Sequence, residues 1–452
     1  MKFYNIMHKL FFTFSFFFLG FLYQINAQQS ENSPYSRFGV GELADNNFNH
    51  IRHMGGVGSA TIDQYQFNML NPASYSYLNM YSFDIGVFAK YNSLQDSKNK
   101  SSVWTGNIDY LAFAFPLRNP VNDLYEGKKS KTKLGMAFAL MPHSNVSYNI
   151  LSTSKDSLSG TIDRTYIGSG GSYKFLFGNS VKYKDFSFGL NLGYLFGKIE
   201  NQKNIDFVDL PWAYQNRFGT DYNISGFLWN IGAMYSKVLN EKEIEKDKSK
   251  RSKILSFGIR GNSAHGFSTN SNNLEYTIQQ APFNVTRDTI QNVKDIKGKG
   301  SLPGEIALGI NYYYGEKWNI GFDYQYSFWD SYFNDANAEK KGSMLNASRI
   351  GVGGFFRPNY KSFDNFFERV FYRYGVYYQT DPRSVGGEQI EGYGVTFGLG
   401  MPFVYQRKIS NINLGCQLGQ RALSLPISEK YVKISLGVTF NDDEWFLKSK
   451  YY

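Results

Sequence analysis

The sequence predicts an all-β protein, a 14-stranded antiparallel transmembrane β-barrel with an N-terminal hatch (plug) inside the lumen. Three observations carry that reading. Large apolar residues recur at every second position with Gly, Ala, Ser or Asn between them, which is the period of a strand with one greasy face and one wet or small-residue face. Aromatics make up 18% of the chain and Gly counts 44, yet no window after the N-terminus resembles a spanning helix. Alternating strands hide an apolar outer surface from hydropathy averages, so a mean hydropathy of −0.40 is compatible with a membrane wall. Finally, the N-terminus reads as an export signal: Lys2 and Lys9 precede an apolar run of 14 residues, Leu10–Tyr23, and Ala27 supplies a small residue for cleavage. That run is too short to span a bilayer as a helix.

The expected organisation is a signal peptide at 1–27, a plug at 28–78, a barrel at 79–441 and a periplasmic tail at 442–452. The plug stretch has no sustained period. It holds Gly55-Gly56 and the turn Asn71-Pro72-Ala73, and its scattered aromatics suit packing against a wall. Period 2 opens sharply at Tyr81, Phe83, Ile85, Val87, Ala89 and Tyr91 and recurs to Val432, Ile434, Leu436, Val438 and Phe440. Strands are expected near 80–93, 103–117, 133–150, 160–183, 186–200, 220–237, 253–262, 300–314, 318–329, 347–357, 370–380, 389–402, 408–420 and 430–441. Their number is even, as a closed single-chain barrel requires. Connections alternate between tight turns, such as Lys184-Asp185, and long polar loops at 201–220, 263–298 and 330–346. Short inner turns and long outer loops are the usual asymmetry of such barrels. The mixed charge run Asn240–Lys253 breaks the pattern. It reads as a solvated turn, or as a docking point for a periplasmic or outer-membrane protein partner, for which 263–298 is the other candidate.

Soluble sheets do not explain the pattern as well. One face here is uniformly large and apolar and the other small, and closure in lipid satisfies every strand edge. The formal charge of +10 suits anionic lipid headgroups or ligands, since nucleic acid is an implausible partner for an exported chain. The single cysteine, Cys416, excludes an intramolecular disulfide framework and argues against a Cys-based metal site. No catalytic motif stands out, so neither enzyme activity nor a cofactor is expected. His50 and His53 could share a helical face as metal ligands, but a satisfied or solvated pair is the plainer reading of two His among five.

Charges on the small-residue phase are more informative. Asp84, Lys90, Asp323, Arg349 and Arg373 fall there. Lys90, Arg349 or Arg373 would hold a ligand carboxylate in an apolar pocket; alternatively Arg and Asp pair across the lumen or with plug carbonyls. Pro142, followed by His143, interrupts the third strand, and a residue without an N–H belongs at a break or an edge.

Met54-Gly55-Gly56 with Asn71-Pro72-Ala73, Leu302–Ile306 with Leu308-Gly309, Gly321–Tyr324 and Gly394–Pro402 occur in an order that resembles the FadL-like long-chain fatty acid transporters. The resemblance spans nearly the whole mature chain, which also looks like the variants of this family found in Bacteroidetes-type bacteria. It implies an outer-membrane barrel that passively admits hydrophobic small molecules, with hatch displacement and lateral release at a kink in the third strand, here Pro142 and His143. The rival expectation is a non-transporting barrel that serves as a subunit of a secretion or envelope-assembly complex. A continuous apolar tunnel ending at Pro142 favours transport; a closed lumen with a rigid plug favours the rival.

Overall fold

The computed structural model describes residues 33–444 except 98, 119–121, 123–126, 128–130, 211, 282–283 and 406–407. The expected signal peptide and the tail beyond Glu444 lie outside the described residues.

The period-2 stretches form strands β1 (Tyr81–Gln95), β2 (Lys100–Pro116), β3 (Thr132–Asp156), β4 (Gly160–Tyr183), β5 (Phe186–Phe207), β6 (Gln215–Val238) and β7 (Lys253–Asn262). After a hairpin described below come β8 (Glu305–Tyr314), β9 (Trp318–Ser327), β10 (Ala347–Phe356), β11 (Phe371–Val385), β12 (Glu388–Tyr405), β13 (Lys408–Arg421) and β14 (Ser428–Asp442). One sheet contains 18 strands. Four of them are not among the strands that cross the apolar band: the two-residue strands Glu42–Leu43 and Phe333–Asn334, and the hairpin arms His265–Ala281 and Asn284–Leu302. The remaining 14 pair antiparallel in chain order, and β14 closes the ring on β1 from Ser428↔Gln95 to Asp442↔Tyr81. The alternation explains the wall directly. On β5, Phe186, Phe188, Leu190, Leu192 and Tyr194 face outward and are exposed, while Ser187 and Asn191 face inward and are fully buried.

We call the end where β1 begins the near end and the opposite one the far end. Strands β3 to β6 have 25, 24, 22 and 24 residues, whereas about 9–11 suffice to cross a bilayer. Half of the wall therefore stands well above the apolar band at the far end. The outer loop expected at 263–298 is in fact part of this raised wall. The hairpin arms continue β7 and β8, pairing from Leu302↔His265 to Asn284↔Ala281, and the first arm also pairs with β6. Likewise most of 201–220 is strand, with only 208–214 connecting. The reason for both corrections is physical: above the lipid neither face must be apolar, so backbone pairing continues while the period-2 signal disappears. The 330–346 segment folds back over the far mouth, with Trp329, Tyr332 and Met344 packed on Val40 and Leu302. The charge run at 240–253 carries a short exposed helix, Glu241–Lys246.

Residues 33–80 fill the lumen. Short 3-10 turns at Pro34–Arg37 and Pro72–Tyr77 start on the side-chain caps of Ser33 and Asn71, and a single helical turn spans Asn49–Arg52. Phe48 stacks on Tyr110 of β2 with ring centroids 3.9 Å apart and meets Phe67 edge-on. Inward glycines of the wall, among them Gly135, Gly189, Gly258, Gly353 and Gly375, lie so close to plug backbone that a Cβ would overlap it. The small inward phase seen in the sequence is the space the plug occupies.

Candidate functional site

Three anchors built on buried charged side chains hold the plug. The Asp323 carboxylate accepts from the backbone N–H of Gly58 (3.0 Å) and Ser59 (2.6 Å) and from the Ser59 hydroxyl (2.9 Å). Arg52, fully buried, bonds Asp45 at 3.0 Å, Asp109 of β2, and the Asn47 carbonyl at 2.8 Å. Asp109 reaches Arg52 because it is the extra residue of a β-bulge: Gly86 pairs with Tyr110 and Val87 with Ile108, which leaves Asp109 unpaired and turned inward. The third anchor is Glu42, set between Arg383 (2.9 Å) and Arg421, which also holds Glu429 at 2.6 Å. Burial pushes the Glu42 and Asp45 carboxyls up, but neighbouring cations outweigh it. Arg383, Arg421 and Lys90 hold Glu42, and Arg52, Arg349 and Lys433 hold Asp45, well below the usual carboxylate range.

Each residue of the glycine and Asn-Pro-Ala motifs has a local task. Gly55 and Gly56 adopt φ of +69° and +82°, which only glycine takes without strain. The turn they make lets Gly55 donate to the Thr396 hydroxyl at 3.0 Å and brings its carbonyl to Arg349 at 3.3 Å. Asn71 donates to the Ser59 carbonyl at 2.6 Å, and its side-chain oxygen accepts from Ala73 N–H at 3.1 Å. Pro72 and Ala73 then lie against Gly189 of β5.

Between the plug and the far mouth lies a cavity of roughly 350 Å³. Of the charges singled out in the sequence, Lys90, Arg349 and Asp323 line it. Asp84 and Arg373 point inward too but do not line it: Asp84 accepts from Thr439 at 2.9 Å and Arg373 donates to Asn413 at 2.7 Å. Lys174, Arg260 and Arg421, also on its lining, were missed. The alternation of β4 and β7 could have found the first two, since Lys174 stands between outward Tyr173 and Phe175 and Arg260 follows outward Ile259. Arg52 and Asp45 carry no such signal because the plug has no period. An apolar sector of Met69, Leu228, Trp229 and Leu302 adjoins these charges, so the lining is mixed rather than greasy.

A second feature lies beside the plug. Strands β2 and β3 pair only from Leu111↔Leu140 to Pro116↔Gly135 and part beyond that point. On the β3 side the plug takes over as a strand, with Glu42↔Asn145 and Leu43↔Ser144. Ala44 donates to the His143 carbonyl at 3.0 Å and Ser33 to that of Ser147 at 3.1 Å. Pro142 sits at a register shift in the β3–β4 pairing and lines a side cavity of roughly 340 Å³ in the parting, with Asn107, Asp109 and Tyr173. His143 lines the main cavity instead. Ala44, Asp45 and Lys433 line both. His50 and His53 do not converge: His50 packs edge-on to Phe48, and His53 Nε2 lies 2.8 Å from the Ser435 hydroxyl.

A family model described as BamG matches residues 7–452. No curated protein matches the chain. Among solved structures, the toluene transporter TbuX of Ralstonia pickettii is 12% identical with a TM-score of 0.51, covering 88% of this chain and 98% of that one. The Pseudomonas putida toluene transporter TodX is 13% identical with a TM-score of 0.52, covering 89% and 99%. A FadL homologue of Pseudomonas aeruginosa is 10% identical with a TM-score of 0.50, covering 89% and 99%. At such identities the likeness is one of fold, that of FadL-like barrels.

Proposed function

The chain belongs to the BamG family, and from the interior of this member we propose that it is a non-transporting outer-membrane barrel, a partner subunit of a secretion or envelope-assembly complex. The observation that carries this is the set of buried anchors, the ion pairs of Arg52 and Glu42 and the hydrogen-bonded Asp323 carboxylate. Breaking a buried pair strands its partner charge at a cost of about 3–5 kcal/mol, so displacing a plug tied at two such pairs and at the Asp323 carboxylate demands more than an apolar ligand entering a mixed, charged cavity supplies. The main and side cavities share Ala44, Asp45 and Lys433 on their linings, so plug residues and charges of both signs stand where the two adjoin.

A second reading rests on the parting of β2 and β3. It places a side cavity beside Pro142, the site expected for lateral release, on a fold shared with two toluene transporters. Here the protein would be a passive channel for hydrophobic molecules such as long-chain fatty acids, with Lys90 and Arg349 as carboxylate partners. Gentle extraction from the native outer membrane, followed by mass spectrometry of proteins and lipids, separates the two. We expect stoichiometric protein partners and an interior free of apolar molecules. A lone barrel carrying fatty acids that are lost in R349A would overturn the subunit reading and establish transport.

A further inference from the structure

The two lips of the parting differ in how their backbone is used. The β3 lip is covered by plug residues: Glu42 and Leu43 pair with Asn145 and Ser144 in strand register, and Ser33 and Ala44 donate to the Ser147 and His143 carbonyls. The β2 lip is not: among the described residues, Lys100–Asp109 pairs with β1 alone, and no strand or plug backbone meets its other edge. This edge lies in the apolar band, because Ile108 and Trp104 stand opposite Val87 and Tyr91 of β1, which in turn pair with Leu436 and Val432 of β14. Ile108 and Trp104 point outward and are 56% and 59% exposed. Backbone donors and acceptors facing hydrocarbon cost several kcal/mol each, and an unpaired edge is a template for another strand. The plug shows what such a strand does at this parting, since it already adds to the opposite lip.

We propose that a partner protein adds an extended segment to the β2 edge at Lys100–Asp109, entering the parting from the membrane side and completing the wall there. This rests on the partner-subunit reading and names where the partner docks. The site fixes the chemistry of the occupant. It alternates, with large apolar side chains continuing the outward row of Ile108 and Trp104, and small or polar ones facing the side cavity, where Asp45, Asp109 and Lys433 present charges of both signs. It is therefore a membrane-type β-strand, not a helix or a soluble loop. Its inward residues meet Ala44 and Asp45, so occupancy is felt directly by the plug.

The test is photocrosslinking in the intact outer membrane with a benzophenone amino acid placed at Ser102, Trp104, Asn107 and Ile108 of the full chain, and at outward Phe322 on β9 as a control. The expected result is that the four β2 positions label one short alternating segment of a single protein. Moving the probe two residues along β2, from Ser102 to Trp104, moves the labelled position by two in the opposite direction. Phe322 labels none of that segment. Labelling of lipid or apolar small molecules only, or of protein without that register, overturns strand addition. If a stoichiometric partner co-purifies but is labelled only from other surfaces, the subunit reading stands and this docking site falls. If no partner exists, both fall.

Discussion

At the residue scale, the plug depends on a few charges that have no solvent to fall back on. In R52M, Asp45 and Asp109 keep their burial but lose their nearest cation and keep only the longer contacts to Arg349 and Lys433, so plug docking should weaken by up to about 3–5 kcal/mol while the strand ladder of the barrel survives. Limited proteolysis should then cut within 33–78 and leave the barrel core intact; an uncut plug would show that Arg52 does not hold it. G55V forces a branched side chain into φ +69° and against the Val352 and Val376 carbonyls. The same cutting pattern is expected, with the backbone strain alone worth about 1–3 kcal/mol. A pH dependence follows as well. Burial, reinforced by Arg373, keeps His50 and His53 neutral far below their ordinary titration point. In a released plug they would take protons near pH 6.5. Docking is therefore at full strength above that pH and weakens as pH falls below it. Glu42 and Asp45, held low by their cations, add a second loss only below about pH 4. Among the described residues both ring nitrogens of His50 lack a hydrogen-bond partner, so H50L should flatten the first phase of protease sensitivity between pH 7 and 5. An unchanged profile would remove His50 from the explanation.

At the scale of elements, the wall was legible in the sequence within a few residues wherever lipid imposes a rule on one face. The run Phe186–Phe196 gave β5 its near half from alternation alone, and β13 and β14 likewise. Legibility stopped where the rule stops. Polar stretches such as Thr269–Gln279 and Thr286–Lys299 are strands because each pairs with its neighbour, and water on both faces leaves no pattern to read. The plug was legible as a unit, through its missing period and its Gly and Asn-Pro-Ala turns, but its anchors were not. Arg52 meets Asp109 only through a bulge, and a one-residue bulge has no signature when the alternation can resume on either side of it. Because the hairpin arms add to the wall only beyond the apolar band, removing 270–297 with a short Gly-Ser link should leave the heat-modifiable migration of the folded barrel unchanged. Loss of the folded band would mean that the hairpin is needed for closure.

At the scale of the molecule, the ring is closed by the full β14–β1 ladder and the bore is filled by 33–80. In planar bilayers the intact protein should be nearly silent, and deletion of 33–78 should produce discrete, ohmic openings. Equal conductance with and without that segment would show that it does not seal the bore. The unequal height of the wall has a further consequence. The parting of β2 and β3 falls where the rim steps up, from the 17 residues of β2 to the 25 of β3. Seen from above, the molecule has a front and a back. A neighbour drifting in the plane of the bilayer can slide its outer portion over the low flank of β14, β1 and β2, but not past the step, as a boat comes to rest along a quay. Encounters in two dimensions are thus turned to one compass bearing by shape alone, before any side chain has been recognised.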